Sequence, residues 1–143
     1  MVQLANLHAT VVVFQGKGIL IQGPSGSGKS DLALRLIEAG AVLVADDRCD
    51  VTVGASGEIL ASAPKKLKGL LEVRGLGLVK MPFEQATEVH LVVELASDSH
   101  QIERMPNPSH FSILERQLPS IKIWPFACSA IAIIKLALSD QLL

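Results

Sequence analysis

Eight consecutive residues of this chain, GPSGSGKS, have the types and spacing that suit the binding of a phosphate group. They match the pattern G-x-x-x-x-G-K-[ST], in which the glycines let successive backbone N–H groups surround phosphate oxygens. The lysine of this pattern reaches the β- and γ-phosphates, and the hydroxyl that follows it holds Mg²⁺. We therefore predict a nucleoside triphosphate site that uses ATP and Mg²⁺. The predicted nucleotide-binding residues are Gly23, Pro24, Ser25, Gly26, Ser27, Gly28, Lys29 and Ser30.

The segments around this loop predict where it lies in a fold. Residues 18–22 are a short apolar run typical of a buried strand, and residues 31–39 have apolar side chains at helical spacing. Gly40 suits the position after a helix C-terminus, and residues 41–45 predict the next strand of a parallel, right-handed unit. The β-branched residues 8–14 predict a hairpin that leads into the loop. These elements indicate an α/β fold of the P-loop kinase type with a mixed sheet.

Two adjacent carboxylates, Asp46 and Asp47, follow the predicted strand 41–45. Open α/β sheets bind ligands outside the carboxyl ends of their strands, so we expect this pair and the glycine-rich loop to face one site. Phosphoryl transfer needs a metal that bridges phosphates and a carboxylate that takes the proton of the attacking hydroxyl. The residue types alone allow either aspartate to perform either task.

The rest of the chain predicts mostly short strands and one closing helix. Residues 97–119 are polar and contain three prolines, which predicts a loop or an irregular helix. Glu72 and Arg74 alternate along a predicted strand and should share one face of it. Strands are predicted in 51–53, 59–60, 70–80 (interrupted by glycines), 89–95 and 121–124, and a helix in 129–138.

Length and composition limit the classes of protein that fit. The 143 residues suit a single domain over 1–143, and the net charge of −1 argues against nucleic acid or an acidic membrane as a partner. No signal peptide and no membrane-spanning run is expected, and two cysteines suit a reducing cytoplasm. We expect Cys49 and Cys128 to be buried apolar residues. With 49% apolar and only 3% aromatic residues, the core should be aliphatic, and other subunits should cover part of the surface.

The motifs together resemble the catalytic, C-terminal domain of HPr kinase/phosphorylase, a bacterial family that phosphorylates a serine of the phosphocarrier protein HPr. That family has a histidine before a hairpin, a GxSGxGKS loop, an ADD pair and a signature close to LEIRGLGI. In this chain the counterparts are His8, residues 23–30, residues 45–47 and LEVRGLGL at 71–78, in the same order.

The resemblance implies a cytoplasmic protein-serine kinase that acts on HPr of a bacterial phosphotransferase system, as a homo-oligomer and specifically a hexamer. It implies His8, Lys29 and an aspartate of the pair as catalytic residues. Asp47, by its spacing from Ser30, aligns best with the family's proton acceptor. Ser30 and Glu72 are implied as magnesium ligands.

The chain also departs from the family. Because His8 lies almost at the start of the sequence, we expect a short form without the family's N-terminal domain, and WPFACS at 124–129 replaces a basic segment that holds an arginine. We therefore expect the forward kinase reaction to be favoured over attack of phosphate on phosphoserine. Two alternatives stay open: a P-loop kinase with a small-molecule acceptor, and a regulatory module that binds a nucleotide without catalysis.

Overall fold

The computed structural model describes residues 4–143, which form eleven β-strands, two α-helices and two short 3-10 helices. The strands are β1 (Leu4–Leu7), β2 (Ala9–Phe14), β3 (Lys17–Gln22), β4 (Val42–Ala45), β5 (Cys49–Val53), β6 (Ile59–Ser62), β7 (Leu70–Val73), β8 (Gly77–Lys80), β9 (Thr87–Leu95), β10 (Ser109–Ile113) and β11 (Arg116–Ile123). The α-helices are α1 (Lys29–Glu38) and α2 (Ala130–Leu138), and the 3-10 helices are Lys65–Leu67 and Ser99–Gln101.

Nine strands form one mixed sheet. Seven of them follow the order β1-β5-β6-β9-β3-β2-β4, and the other two branch from β9, because β11 pairs with β9 and β10 pairs with β11. β9 is parallel to β3 and to β11, and the other pairs in this sheet are antiparallel. β7 and β8 form a separate two-stranded hairpin. The predicted mixed α/β fold is confirmed.

The central strands are apolar on both faces, because both faces are covered. Side chains alternate across a strand, so Val12 and Val11 of β2 face opposite sides of the sheet. Val12 packs in a cluster with α1 and α2 residues such as Leu32 and Ile134. Val11 belongs to a second cluster, which includes Val51 of β5. The central hairpin is thereby fixed between two aliphatic layers.

The strand after the first helix, β4, does not pair with β3. Both β3 and β4 are antiparallel to β2, which lies between them, so β3 and β4 run in the same direction without being neighbours. The tight β2–β3 hairpin occupies one edge of β3, and β9 occupies the other. The shared direction brings the carboxyl ends of β3 and β4 to the same edge of the sheet.

Helix α1 ends as the sequence predicts. Gly40 has a φ of 112°, a left-handed conformation that glycine adopts without a Cβ penalty. Its N–H donates to the Ile37 carbonyl at 3.0 Å, and the Ala41 N–H donates to the Leu36 carbonyl at 2.9 Å. These two bonds satisfy the last carbonyls of the helix as in a Schellman motif. Among residues 4–143, no helix is long and apolar enough to cross a membrane.

The prediction of a loop or irregular helix over 97–119 is wrong in its second half, because β10 and the start of β11 form a hairpin there. Ile113 pairs with Arg116, so the turn is only Leu114-Glu115, and both residues have positive φ (48° and 66°). Such turns normally contain Asn or Gly, and neither is present here. The usual sequence signal for the hairpin is therefore missing.

The segment 70–80 also differs from its prediction, because its glycines mark a turn. Val73 of β7 pairs with Gly77 of β8, and Gly75 in the turn between them has a φ of 89°. Arg74 therefore lies in the turn, and the expectation that it shares a strand face with Glu72 is wrong. Leu71 anchors the hairpin, since its side chain is fully buried.

The two cysteines differ in environment. Cys49 is buried as predicted, and burial together with the neighbouring Asp50 carboxylate raises the pKa of its thiol to about 12. Cys128 is exposed in the turn before α2, so its predicted burial is wrong. Pro125 and Ala130, on either side of Cys128, take the buried positions of this segment, and Cys128 itself faces solvent.

Candidate active site

Three loops meet at one edge of the main sheet. Ala9 of β2 is opposite Gln22 of β3, so His8 and Gly23 leave neighbouring strands side by side. β4 ends at Ala45, opposite Val11, and Asp46 follows it. The expectation that the aspartate pair and the glycine-rich loop face one site agrees with this arrangement.

The loop 23–28 has the shape of an anion cradle. Gly26 and Gly28 have φ values of 79° and 103°, and α1 begins directly after Gly28. The Ser27 N–H donates to the Pro24 carbonyl at 3.1 Å, which closes the turn. The Ser27 hydroxyl is buried, yet it has no hydrogen-bond partner within the described chain. A buried donor without a partner at the start of a helix fits a loop that is completed by a phosphate oxygen.

Lys29 is almost fully buried, with 6% of its surface exposed. Its Nζ donates to the carbonyl oxygens of Gly23 at 2.8 Å and Pro24 at 3.0 Å, so the side chain folds back across the loop. Burial lowers the pKa of Lys29, and the carboxylates of Asp47 and Asp46 oppose this shift. The two carbonyl contacts hold the ammonium group over the cradle.

Asp46 is the hydrogen-bonded centre of the site and is only 5% exposed. Its Oδ1 accepts from the Ser30 hydroxyl at 2.6 Å and from the Thr10 hydroxyl at 3.0 Å. Its Oδ2 accepts from the Glu72 backbone N–H at 2.9 Å. Three donors from β2, α1 and β7 thus fix the orientation of this carboxylate.

Asp47 lies in a different environment, with 60% of its side chain exposed. Its Oδ1 is 2.7 Å from His8 Nε2, and its backbone N–H donates to the Thr10 hydroxyl at 3.3 Å. Asp47 has a φ of 67°, a left-handed conformation that aspartate tolerates better than most residues. The strained backbone turns Asp47 toward His8 instead of continuing β4.

Thr10 was missed by the analysis of the sequence. It is fully buried in β2 and contacts both aspartates, through its hydroxyl to Asp46 and to the Asp47 N–H. The only available signal was a hydroxyl inside an otherwise apolar predicted strand. Threonine is common in strands without any role in a site, so this signal is not specific. Only the pairing of β2 with β4 gives Thr10 its place.

Glu72 contacts the site through its backbone alone. Its side chain is exposed, and in residues 4–143 no hydrogen bond or ion pair joins its carboxylate to another residue. Across that same range, no three His, Cys, Asp or Glu side chains are grouped to hold a metal. Mg²⁺ usually takes one or two carboxylates together with substrate phosphates and water. Ser30 and Asp46, joined at 2.6 Å, therefore fit an Mg²⁺ that is shared with a nucleotide.

The segment 124–129 lies beside the loop. A Cβ atom at Gly28 would be 3.4 Å from Cζ of Phe126 and 3.6 Å from Cγ of Pro125, so both side chains cover the loop where α1 begins. The Arg35 guanidinium of α1 donates to the Pro125 carbonyl and to Asp31 Oδ2. The position at which the resemblance leads one to expect a basic residue is therefore apolar.

The fold and sequence are similar to those of known proteins. The structure described as "Structure of the Hpr(Ser) kinase/phosphatase from Coxiella burnetii" matches with a TM-score of 0.78 and 27% identity, over 93% of this chain and 88% of that chain. HPr kinase/phosphorylase of Lactiplantibacillus plantarum is 34% identical over 82% of this chain and 41% of its own length. The same-named protein of Clostridium tetani is 49% identical over 54% of this chain and 25% of its own length.

The alignments thus cover well under half of these curated relatives. The sequence model of the family described as "HPr Serine kinase C-terminal domain" matches residues 1–140. This chain belongs to that family, and the resemblance predicted from its motifs is confirmed.

Proposed function

We propose that this chain is an ATP-dependent protein kinase that transfers a phosphoryl group to a serine hydroxyl of the phosphocarrier protein HPr. The observation that carries the proposal is the meeting of Lys29, the Asp46–Ser30 pair and the His8–Asp47 pair at one sheet edge. Membership of the HPr serine kinase family supplies the class of acceptor.

Nucleotide binding falls to the loop 23–30. Its backbone N–H groups and the unpartnered Ser27 hydroxyl would donate hydrogen bonds to phosphate oxygens, and Lys29 would balance the charge of those oxygens. Lys29 is already held over the loop by the Gly23 and Pro24 carbonyls, so little reorganisation is needed. This arrangement supports ATP as the phosphoryl donor.

The metal would be held by Ser30 and Asp46, with the Glu72 carboxylate as a further ligand implied by the family resemblance. Bound Mg²⁺ would supply charge neutralisation on the β- and γ-phosphates. The three hydrogen bonds to Asp46 hold its carboxylate in one orientation for that task. Thr10 acts as a positioning residue, because its hydroxyl bonds to the Asp46 carboxylate and to the Asp47 backbone N–H.

Asp47 is the proposed proton acceptor. As the serine oxygen attacks the γ-phosphorus, the bond from that phosphorus to ADP breaks and the hydroxyl proton moves to Asp47. His8, 2.7 Å away, orients this carboxylate and can share the proton. Asp47 suits this role better than Asp46, because its side chain is exposed to an incoming protein, whereas Asp46 is buried.

The test is incubation of this chain with ATP, Mg²⁺ and HPr, followed by mass spectrometry of the modified residue. We expect a single phosphoserine on HPr, and a folded Lys29→Ala protein should form none, because the charge-balancing cation is lost. Glu38→Ala, on the same helix but away from the loop, is the matched control and should retain activity. Equal turnover by folded Lys29→Ala would contradict the assignment of the loop.

Two additions to this experiment, a set of candidate metabolites as competing acceptors and a measurement of ATP binding, separate the alternatives. Phosphorylation of a metabolite in preference to HPr would identify a small-molecule kinase. Nucleotide binding without transfer to any acceptor would identify a regulatory module.

We further propose that the chain works in the cytoplasm as a homo-oligomer, a hexamer by family resemblance, without nucleic acid or membrane as a partner. The apolar side chains of Ile133 and Leu136 on α2 are 41% and 52% exposed, which supports coverage by another copy. Light scattering of the purified chain would give the number of subunits.

A further inference from the structure

We propose that Phe126 is the platform on which the base of the bound nucleotide stacks. The inference rests on the proposed nucleotide site and extends it to the part of the ligand that the phosphate loop does not hold. It follows from where the ring lies, what surrounds it and what lies on the other side of the loop.

The Phe126 ring is both close to the loop and open to a ligand. It covers Gly28, the last residue before α1, and its side chain is 60% exposed. A cavity of about 250 Å³ lies next to it. Its walls are residues 24–27 of the loop together with Leu95, Ala96, Ser97 and Phe126. A ring that is exposed at a cavity is available for stacking, unlike one that fills a core.

The chemistry of this cavity suits an uncharged heterocycle. Half of its lining is the phosphate loop itself, and the other half, Leu95, Ala96, Ser97 and Phe126, has no charged side chain and leaves room for the uncharged part of the ligand. Aromatic side chains bind bases through their π-faces, and serine hydroxyls and backbone groups can satisfy the polar edge of a base.

A second cavity indicates which end of a bound nucleotide faces Phe126. This cavity, of about 480 Å³, includes His8, Gln22 and Glu94 in its lining and shares Pro24 and Leu95 with the first one. His8, whose Nε2 is 2.7 Å from Asp47 Oδ1, thus lines the cavity on one side of Pro24 and Leu95, and Phe126 lines the cavity on the other side. A phosphate chain lying in the loop would direct its γ end toward Asp47 and its ribose and base toward Phe126.

The platform is held in place before any ligand binds. The Arg35 guanidinium contacts the Pro125 carbonyl and thereby ties the segment to α1. The Trp124 ring packs edge-on against Phe126, with the ring centroids 6.2 Å apart and the planes at 78°. A ring that is already oriented loses less entropy on binding than a free one.

The test compares two ligands and three variants by calorimetry. ATP and ribose 5-triphosphate have the same phosphate chain and sugar, but only ATP has a base. Phe126→Ala should weaken ATP binding by about 5- to 100-fold and leave the affinity for ribose 5-triphosphate within about 2-fold. Phe126→Tyr keeps the ring and should bind ATP like the wild type. Phe83→Ala, at a residue packed on Gly69 away from both cavities, is the matched control.

The only tryptophan in the chain gives an independent readout in the unmodified protein. The sequence has one tryptophan and no tyrosine, so emission excited at the indole band comes from Trp124 alone. ATP should change this emission more than ribose 5-triphosphate does at equal saturation. An equal response to both ligands would overturn the stacking proposal even if Phe126→Ala failed to fold.

The outcomes also separate this proposal from the one on which it rests. If the wild type binds both ligands with equal affinity, or Phe126→Ala weakens both equally, the stacking role is wrong and the phosphate loop stands. If the wild type binds neither ligand, both proposals are wrong.

Discussion

Asp46 and Asp47 are neighbours in sequence, but the structure gives them opposite surroundings. Asp46 is buried with three hydrogen-bond donors, whereas Asp47 is exposed and contacts His8. A left-handed backbone at Asp47 produces this divergence, because it turns the second side chain away from the direction of the first. The proposed roles, metal binding for Asp46 and proton acceptance for Asp47, follow from this difference in surroundings.

Asp47→Asn should lower the rate of transfer to HPr by about 10² to 10⁴-fold with little change in ATP affinity, because it removes the proton acceptor and keeps the shape. Asp46→Asn should instead weaken Mg²⁺-dependent ATP binding, because it removes a charged metal ligand. It should also lower the melting temperature, because the new amide NH₂ group would face hydrogen-bond donors where the carboxylate oxygen accepted from them. Kinetics, calorimetry and thermal melting of both variants would check this. A nearly wild-type Asp47→Asn beside an inactive Asp46→Asn would reverse the assignment.

Lys29 should make the free energy of unfolding depend on pH in the alkaline range. Its pKa in the folded protein is lowered by burial, so between that pKa and the ordinary value of 10.5 the unfolded chain binds more protons. The free energy of unfolding of the wild type should therefore rise relative to that of Lys29→Met as pH increases through this window. Urea unfolding of both proteins at several pH values from 7 to about 10.5 measures the difference. A difference that is constant or falls with pH would show that Lys29 is not destabilised by burial.

At the scale of the elements, the β10–β11 hairpin is the feature that is hardest to predict from the sequence. It is held by its pairing with β9 and by Ile113 in the second apolar cluster, despite a turn of two L-residues with positive φ. Tertiary contacts thus outweigh the local cost of the turn.

Glu115→Gly should raise the free energy of unfolding by about 1 kcal/mol, because it removes the Cβ strain at a φ of 66°. Leu114 is left unchanged, since it packs against the second cluster. Glu115→Ala removes the same charge but keeps the Cβ, so it should not stabilise the protein. Urea unfolding of the three proteins gives the comparison; stabilisation by the alanine variant alone would point to charge and not to backbone strain.

At the scale of the whole molecule, the proposed site is positively charged on one side and apolar on the other. Lys29 lies at the loop, and Phe126 and Pro125 cover its far side without adding a positive charge. This distribution bears on the direction of the proposed reaction. The forward transfer has Lys29 and Mg²⁺ to balance the charge of one nucleotide. Reversal would bring a free phosphate dianion beside an anionic phosphoserine.

We therefore expect this chain to favour the kinase reaction over phosphorolysis of serine-phosphorylated HPr. Repulsion between such charges at about 4 Å is on the order of several kcal/mol unless the site compensates it. The measurement is release of pyrophosphate after phosphate is added to serine-phosphorylated HPr, beside the forward rate under the same conditions. Ala127→Arg, which restores a cation to this segment, should raise the reverse rate selectively. Equal forward and reverse rates in the unmodified chain would contradict the prediction.

The sequence by itself determined the parts of this protein that depend on local patterns. The helix α1 with its C-terminal Gly40, the β2–β3 hairpin, the strands β5 and β6 and the closing helix α2 were all predictable. Periodicity and turn residues act over a few positions, so one sequence is enough to recognise them. The motifs were also sufficient to identify the family, because their order and spacing are specific.

Only the tertiary structure decided which residues meet. Thr10 gains its contacts to both aspartates because β2 lies between β3 and β4, a neighbour relation that no local pattern encodes. The separation of Asp46 from Asp47 and the position of Phe126 over Gly28 likewise depend on contacts between segments far apart in sequence. Burial and long-range pairing are properties of the packed chain, and so the residue types of the candidate site were predictable while its geometry was not.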